Sequence, residues 1–411
     1  MVVAALSLFG CKREPAPDAA PTTARSPVWY RAVIRGPDGI EIPFFVSAPA
    51  PGEPGQAIFK VGPHEVRTEA TFDGKTLKAP MPVHQTAVDA TVGPDGTLIG
   101  TFSTTWRAWG ASSLPLTATK VSAPAPSALA TVAVAGPPLD LGGPRTVWKI
   151  VMNESGNARL VVNQPHPGEL DAVLYLDTGN IIYLAGNGVG NEIVLTGFDG
   201  TSGYRLELDL DKGHAHGTGE YIGGHKLDWR EKVTATLAPD YELELDPNPV
   251  PPGATIGLPD LPEIEALEPG PLLIEIGGSW CSTCRNAAPL LVDLYREYHP
   301  RGLRIISLLY EFDDDRTIDL RQVEEFKKEY GVTWPVISVP GALEDFADIM
   351  PTGLNNLNPA GYPFTVFLAA DRTLVALHIG FPASDATSAE YKRTAADFRK
   401  SIEKLLAGVK K

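Results

Sequence analysis

"EIGGSWCSTCRNAAP", Glu275–Pro289, holds two of the three cysteines in a chain of 411 residues, and they stand as Cys-x-x-Cys directly behind Trp280. Ahead of the pair, "PLLIEIG" (Pro271–Gly277) is a continuous apolar run suited to a buried strand, and behind it Cys281 to His299 fits a helix. Cys281 therefore falls where a strand passes into a helix. Unpaired backbone N–H groups at a helix N-terminus favour a thiolate and lower its pKa. Cys284, three positions on, faces the same side and can close a disulfide with Cys281. Such a pair performs thiol–disulfide exchange: one sulfur attacks, a mixed disulfide forms, and the other sulfur resolves it. Two quieter uses compete. A structural staple over so short a loop adds little, because its entropic gain grows with loop length. A zinc site needs about four ligands, and no further cysteine stands near to join these two.

Outward from the pair, strands and helices alternate. "GLRIISLLYEF" (Gly302–Phe312) reads as a second buried strand, and "IDLRQVEEFKKEYG" as an amphipathic helix closed by Gly331. "WPVISV" is a short strand, "PFTVFLA" and "TLVALHIG" a hairpin turned at "ADR", and Ala386 to Leu406 a last helix. This alternation implies an α/β sheet sandwiched by helices.

The first half follows another grammar. Residues 28–121 are strand-like throughout, with "VWYRAVI" and "IPFFVSA" broken by the turn signals "GPDG", "FDGK" and a second "GPDG". An Ala/Pro linker, "SAPAPSALATVAVAGPP", leads to a second β-rich block. The two blocks resemble each other: "IGTF" then "LTAT" in the first, "HGTG" then "VTAT" in the second, with equal spacing from Gly100 to Thr117 and from Gly217 to Thr234. Each block also opens on a Val-Trp pair, Val28-Trp29 and Val147-Trp148. The period is too long for a solenoid, so the expectation is a duplicated β domain. "DPNPVPPGATIGLPDLP" separates it from the α/β part.

At the N-terminus, "VVAALSLFG" precedes Cys11, with Lys12 and Arg13 beyond. A short apolar run ending in a small residue before cysteine resembles the end of a bacterial lipoprotein signal peptide, so Cys11 is the expected lipidation site, although Phe9 is unusual and a positive leader is missing. "EPAPDAAPTTARSP" reads as a flexible tether. Export places Cys281 and Cys284 in an oxidising compartment. The formal charge of −15 argues against nucleic acid, and no segment approaches the roughly 18 apolar residues of a membrane helix.

"WCSTC", with Pro289 five residues after Cys284 and a strand just before, resembles the thioredoxin active site. More closely, residues 263–411 resemble the TlpA/ResA-like extracytoplasmic thiol–disulfide oxidoreductases, to whose cis-proline, turn and hairpin segment "AGYPFTVFLAADRTLVALHIGF" is similar. A weaker likeness, carried by "FDG" and the Thr-Ala-Thr strands, joins the β blocks to N-terminal domains of some members. The resemblance makes Cys281 the nucleophile and Cys284 the resolving thiol. It makes Pro363 cis against the sulfurs, with the Tyr362 backbone turned to an extended substrate segment and Trp280 shielding the pair. Glu275, six residues before Cys281, matches the buried acid that shuttles the resolving thiol's proton; the plainer reading is a surface acid at a strand edge. One departure is Ala287, where many members carry a glutamate.

The expected fold class is then multidomain, two β-rich N-terminal domains followed by an α/β thioredoxin-like domain. The expected units are a signal remnant and lipidation cysteine (1–11), a tether (12–27), a β domain (28–121), a linker (122–139), a second β domain (140–246), a linker (247–262) and the thioredoxin-like domain (263–411). The expected activity is protein-disulfide reduction or exchange at the periplasmic face. Its partners are protein dithiols and disulfides, a membrane donor of electrons and the membrane itself through the lipid; no cofactor and no metal are called for. A thiol peroxidase of the same fold, or a binding or assembly lipoprotein working through its β domains, are the competing readings. Peroxidases of that kind surround one cysteine with Pro-x-x-x-Thr-x-x-Cys, which Ser279–Cys284 does not supply.

Three other features have bland explanations. His214 and His216, with His225 nearby, point two imidazoles to one strand face, as metal sites do, but suit a solvated hairpin equally. "FDDDR" (Phe312–Arg316) lacks the glycine and distal glutamate of a calcium loop and suits a helix N-terminus. Trp106 and Trp109 read as core rather than as a binding patch.

Overall fold

The computed structural model describes residues 27–408 apart from 105–111, 130–135, 154–155, 178–180, 223–227, 244–249, 251–252, 259–260, 268, 312–314, 340–350, 355–361 and 382–388. Cys11, Trp106, Trp109, His225 and Phe312 to Asp314 thus lie outside the described residues.

Period-two patterning dominates the first part. Along Thr76–Met81, Leu77, Ala79 and Met81 are buried and their neighbours are not. Eight such strands, from Val28–Arg35 to Ser112–Val121, pair antiparallel with their sequence neighbours and close when the last meets the first. Eight more, from Arg145–Met152 to Asp228–Leu237, close a second barrel in the same way. Closure removes the sheet edges that would otherwise invite further pairing.

The register relates the barrels. Gly100 lies opposite Leu116, and Gly217 opposite Val233. A Cβ at either glycine would run into a neighbouring carbonyl oxygen, that of Asp89 or of Glu207. Thr117 and Thr234 then face Val33 and Val151. Counted from those partners, Trp148 corresponds to Tyr30 and not to Trp29. The Val-Trp pairs are therefore not equivalent: a shift of one residue turns a strand's side chains to the other face, and Tyr30 and Trp148 are the buried ones.

The Glu41–Ala48 strand is almost wholly buried because its barrel packs against the other. Phe198 of the second barrel stacks on Phe44 with centroids 4.3 Å apart, meets Phe102 edge-on at 5.5 Å, and belongs to the first barrel's core. Thr196 Oγ1 donates to Pro43 O at 3.0 Å across the same contact. Both expected linkers carry packed residues. Leu129 is buried in the first barrel's core, and Ile256 in that of the C-terminal unit.

That unit is a five-stranded sheet in the order Val336–Val339, Arg304–Tyr310, Leu272–Gly277, Phe364–Leu368, Leu374–Ile379. Its first three strands are mutually parallel and the last two antiparallel to their neighbours. Helices Ser282–Tyr298, Arg316–Tyr330 and Ala389–Ala407 all contribute to one buried cluster with Leu273, Ile305 and Phe367. The cluster on Ile274, Ile306 and Val366 takes in Ile256, Ile264 and Leu354 and, from the long helices, Cys284 at the first turn. The described long helices thus pack mainly on one side of the sheet. Asp315 caps the second helix by accepting from Thr317 N–H, and Gly331 ends it in the left-handed region at φ 69°.

Candidate active site

The central strand ends at Gly277, and two residues there must be glycine. A Cβ at Gly277 would stand 2.6 Å from Cys284 Sγ, so the sulfur occupies the space a side chain would fill. A Cβ at Gly278 would collide with the Trp280 indole, whose Nε1 donates to Tyr310 O at 2.8 Å. The chain then enters the helix with Cys281 as its N-cap. The Cys284 backbone N–H donates to Cys281 Sγ at 3.1 Å, the contact that favours a thiolate there. Cys281 and Cys284 are joined as a disulfide with Cα atoms 5.2 Å apart. Cys281 retains 6% exposure and Cys284 none, so only the first sulfur is open to a partner. Pro289 lies inside this helix, where it removes a backbone donor.

Tyr362-Pro363 is cis, and Pro363 Cβ lies 3.9 Å from the point a Gly277 Cβ would take, beside Cys284. Trp280, half-buried, meets the buried Tyr362 ring edge-on at 5.5 Å. Trp280, Tyr362 and Pro363 thus gather around the disulfide.

Beneath it lies Glu275, fully buried on the central strand and not at a sheet edge. It stands two residues before Gly277 and so shares the face toward Cys284. Its Oε2 accepts from Ser307 Oγ at 2.6 Å, and Ser307 Oγ accepts from Trp334 Nε1 at 2.9 Å. Oε1 accepts no hydrogen bond from the described residues, and neither does Oγ1 of Thr365, its cross-strand partner. Burial pushes the Glu275 carboxyl up to about 7, with the Ser307 bond pulling the other way.

A second buried acid was not apparent from sequence. Glu311, just past the Arg304–Tyr310 strand, accepts from Ser279 N–H and from Ser279 Oγ, both at 2.8 Å. Burial raises it to about 7 as well. Arg285, the residue after Cys284, is also buried and donates to the carbonyls of Ser279 and Trp280 at 3.0 and 2.8 Å. The only sequence signals were an acid closing an apolar strand and a cation beside the pair. Ala287 is fully buried in a cluster that takes in Val83 of the first barrel. A glutamate there would be an unpaired charge in an interdomain core.

The histidine pair is elsewhere. His214 and His216 are exposed on the second barrel, His216 Nε2 lying 3.9 Å from Asp209. Among the described residues, no three His, Cys, Asp or Glu come together as a metal site.

No family model matches the chain. Over 99 residues it is 29% identical to the thiol-disulfide oxidoreductase ResA of Oceanobacillus iheyensis, a stretch covering 24% of this chain and 45% of that protein. With ResA of Bacillus thuringiensis the figures are 32% over 74 residues, 18% and 39%. The chain thus spans less than half the length of these curated relatives. Among solved structures, a thiol:disulfide interchange protein of the thioredoxin family from Chlorobium tepidum is 17% identical, covering 39% of this chain and 99% of that one at a TM-score of 0.26. A secreted thiol-disulfide isomerase from Corynebacterium glutamicum is also 17% identical, covering 35% and 75% at 0.27. Over the stretches matched to ResA the chain is similar in sequence to thiol-disulfide oxidoreductases, and its C-terminal unit carries a disulfide where the central strand passes into a helix.

Proposed function

We propose that the chain is an extracytoplasmic thiol–disulfide oxidoreductase that reduces or exchanges disulfides of protein substrates through Cys281 and Cys284. The observation that carries this is the disulfide at the helix N-terminus, with Cys281 retaining slight exposure and Cys284 fully buried at the end of the strand that carries Glu275. In the reducing direction the Cys281 thiolate attacks a substrate disulfide, and one substrate sulfur leaves as a thiol. Cys284 gives its proton to Glu275 and attacks the mixed disulfide, so that the protein ends oxidised and the substrate reduced. Glu275, raised toward neutrality, is matched to exchange that proton. Trp280 shields the pair, and an extended substrate segment lies along Tyr362-Pro363. A membrane donor of electrons returns the pair to its dithiol form. Insulin reduction by the pure protein tests this. Turnover of peroxide without insulin reduction would replace it with a peroxidase.

Lipid at Cys11 holds the protein at the envelope, on the strength of "LSLFGC". Cys11→Ser should then release it from membranes, and wild type found in the soluble fraction would sink the anchor. The matched register at Gly100 and Gly217 supports a duplication behind the two barrels.

A further inference from the structure

The loop that presents Cys281 is held partly from outside its own domain. Arg285 Nη1 binds the carbonyls of Ser279 and Trp280, the two residues before Cys281, while Nη2 donates to Thr201 Oγ1 of the second barrel at 3.1 Å. Arg285 is 3% exposed and Thr201 7%, so this is a buried bond between segments 84 residues apart. A planar guanidinium holds such acceptors in a rigid, spread fork, whereas an ammonium is a compact point with rotatable donors.

Thr201 is itself fixed. The backbone N–H groups of Thr201 and Ser202 donate to Asp199 Oδ1 at 2.8 and 2.7 Å. Thr86 Oγ1 of the first barrel donates to Gly200 O at 2.5 Å. Gly200, at φ 88°, is closed over the His84 ring, which a Cβ would strike. From the other side Glu311 holds Ser279 by its N–H and hydroxyl. The bonds therefore run without a break from the first barrel through the Asp199–Ser202 turn and Arg285 to the residues preceding the nucleophile. Buried chains of this kind are stiff, and losing one acceptor strands a donor.

We infer that the second barrel is a working part of the redox site, with Thr201 as a positioning residue that holds Arg285 where its cation and its bonds to the loop stabilise the Cys281 thiolate. The inference rests on the proposed thiol–disulfide activity. Its consequence is that the barrel favours the dithiol form over the disulfide.

The test is the equilibrium of the full chain with glutathione, in which the protein disulfide and two reduced glutathiones give the protein dithiol and one oxidised glutathione. Thr201→Val keeps the shape and removes the acceptor, Thr201→Ser restores it, and Arg285→Lys keeps the charge but not the rigid fork. Thr201→Val and Arg285→Lys should each shift the equilibrium toward the disulfide by about threefold or more, a fraction of what a hydrogen bond to a charged group is worth. Thr201→Ser should match wild type. A merely structural bond would lower the urea midpoint and leave the equilibrium where it was. If Thr201→Val does not fold, Arg285→Lys carries the same expectation. A wild-type pair that exchanges normally while the variants equal it, or shift toward the dithiol, overturns the inference alone. A wild-type pair that never exchanges overturns the functional reading and this inference with it.

Discussion

The redox loop rests between two buried carboxylates that are held in opposite ways. Glu311, the wall beside Ser279, has both oxygens engaged by the same serine. Glu275, the floor under Cys284, has one oxygen engaged by Ser307 and another that no described side chain or backbone group satisfies. Both are raised to about 7 by burial. An acid held at both oxygens serves as a fixed post. One with an oxygen that no described group engages has room to take up a proton. The same residue type, buried in both places, is held at both oxygens in one and at a single oxygen in the other.

The largest effects should come from the sulfurs, one on each side of this division. Cys284→Ala should leave Cys281 to attack and should accumulate a mixed disulfide visible on a non-reducing gel. Cys281→Ala should lose turnover and trap nothing. Trapping by the Cys281 variant instead would exchange the two roles and undo the comparison at its root.

Next comes the floor. Glu275→Gln should slow resolution by about 10²-fold, the typical contribution of acid–base assistance, and leave the first attack nearly unchanged. Stopped-flow fluorescence can time both half-reactions, with Trp280 beside Cys281 as reporter. Unchanged resolution across pH 6 to 9 would reduce Glu275 to packing. Stability should carry the same signature. Glu275 binds its proton more tightly in the folded state, at about 7 against an ordinary 4.5, so its contribution to stability falls as pH rises through that window. At ~1.4 kcal/mol per pH unit the drop is on the order of 3 kcal/mol. Urea unfolding of Glu275→Gln should lack this part of the decline, and parallel curves for the two proteins would mean that Glu275 stays charged.

The wall should give the smallest effect. A glutamine at 311 keeps one acceptor for two Ser279 donors, so Glu311→Gln should slow the first attack by about threefold, a fraction of a hydrogen bond to a charged group, without touching resolution. Slowed resolution would show that floor and wall are not separate devices.

The contrast also marks what could be read before the structure. The strand, the helix behind Cys281, the hairpin after Pro363 and the cap at Gly331 each follow from a few consecutive residues, as does the burial of Glu275 within "LLIEIG". Closure of each barrel, by contrast, depends on the pairing of its first and last strands, about which neither segment says anything alone. Glu311 closes an apolar strand and Arg285 follows the cysteine pair, and neither is singled out by its sequence neighbours. What makes them matter is Ser279 on one side and Thr201 on the other, the latter 84 residues away. The Trp29 and Trp148 mismatch is of the same kind, since sequence similarity carries no record of which strand face a residue takes.

Phe198 has a consequence for the order in which the chain is made. Its ring fills part of the first barrel's core, yet it is joined to the second and is synthesised well after the first barrel's last strand ends at Val121. During vectorial emergence the first barrel must therefore wait with Phe44 and Phe102 uncovered, and its maturation is tied to the arrival of the domain that follows. A chain stopped between the barrels would display that aromatic face to chaperones and proteases, while one carried past Phe198 would hide it.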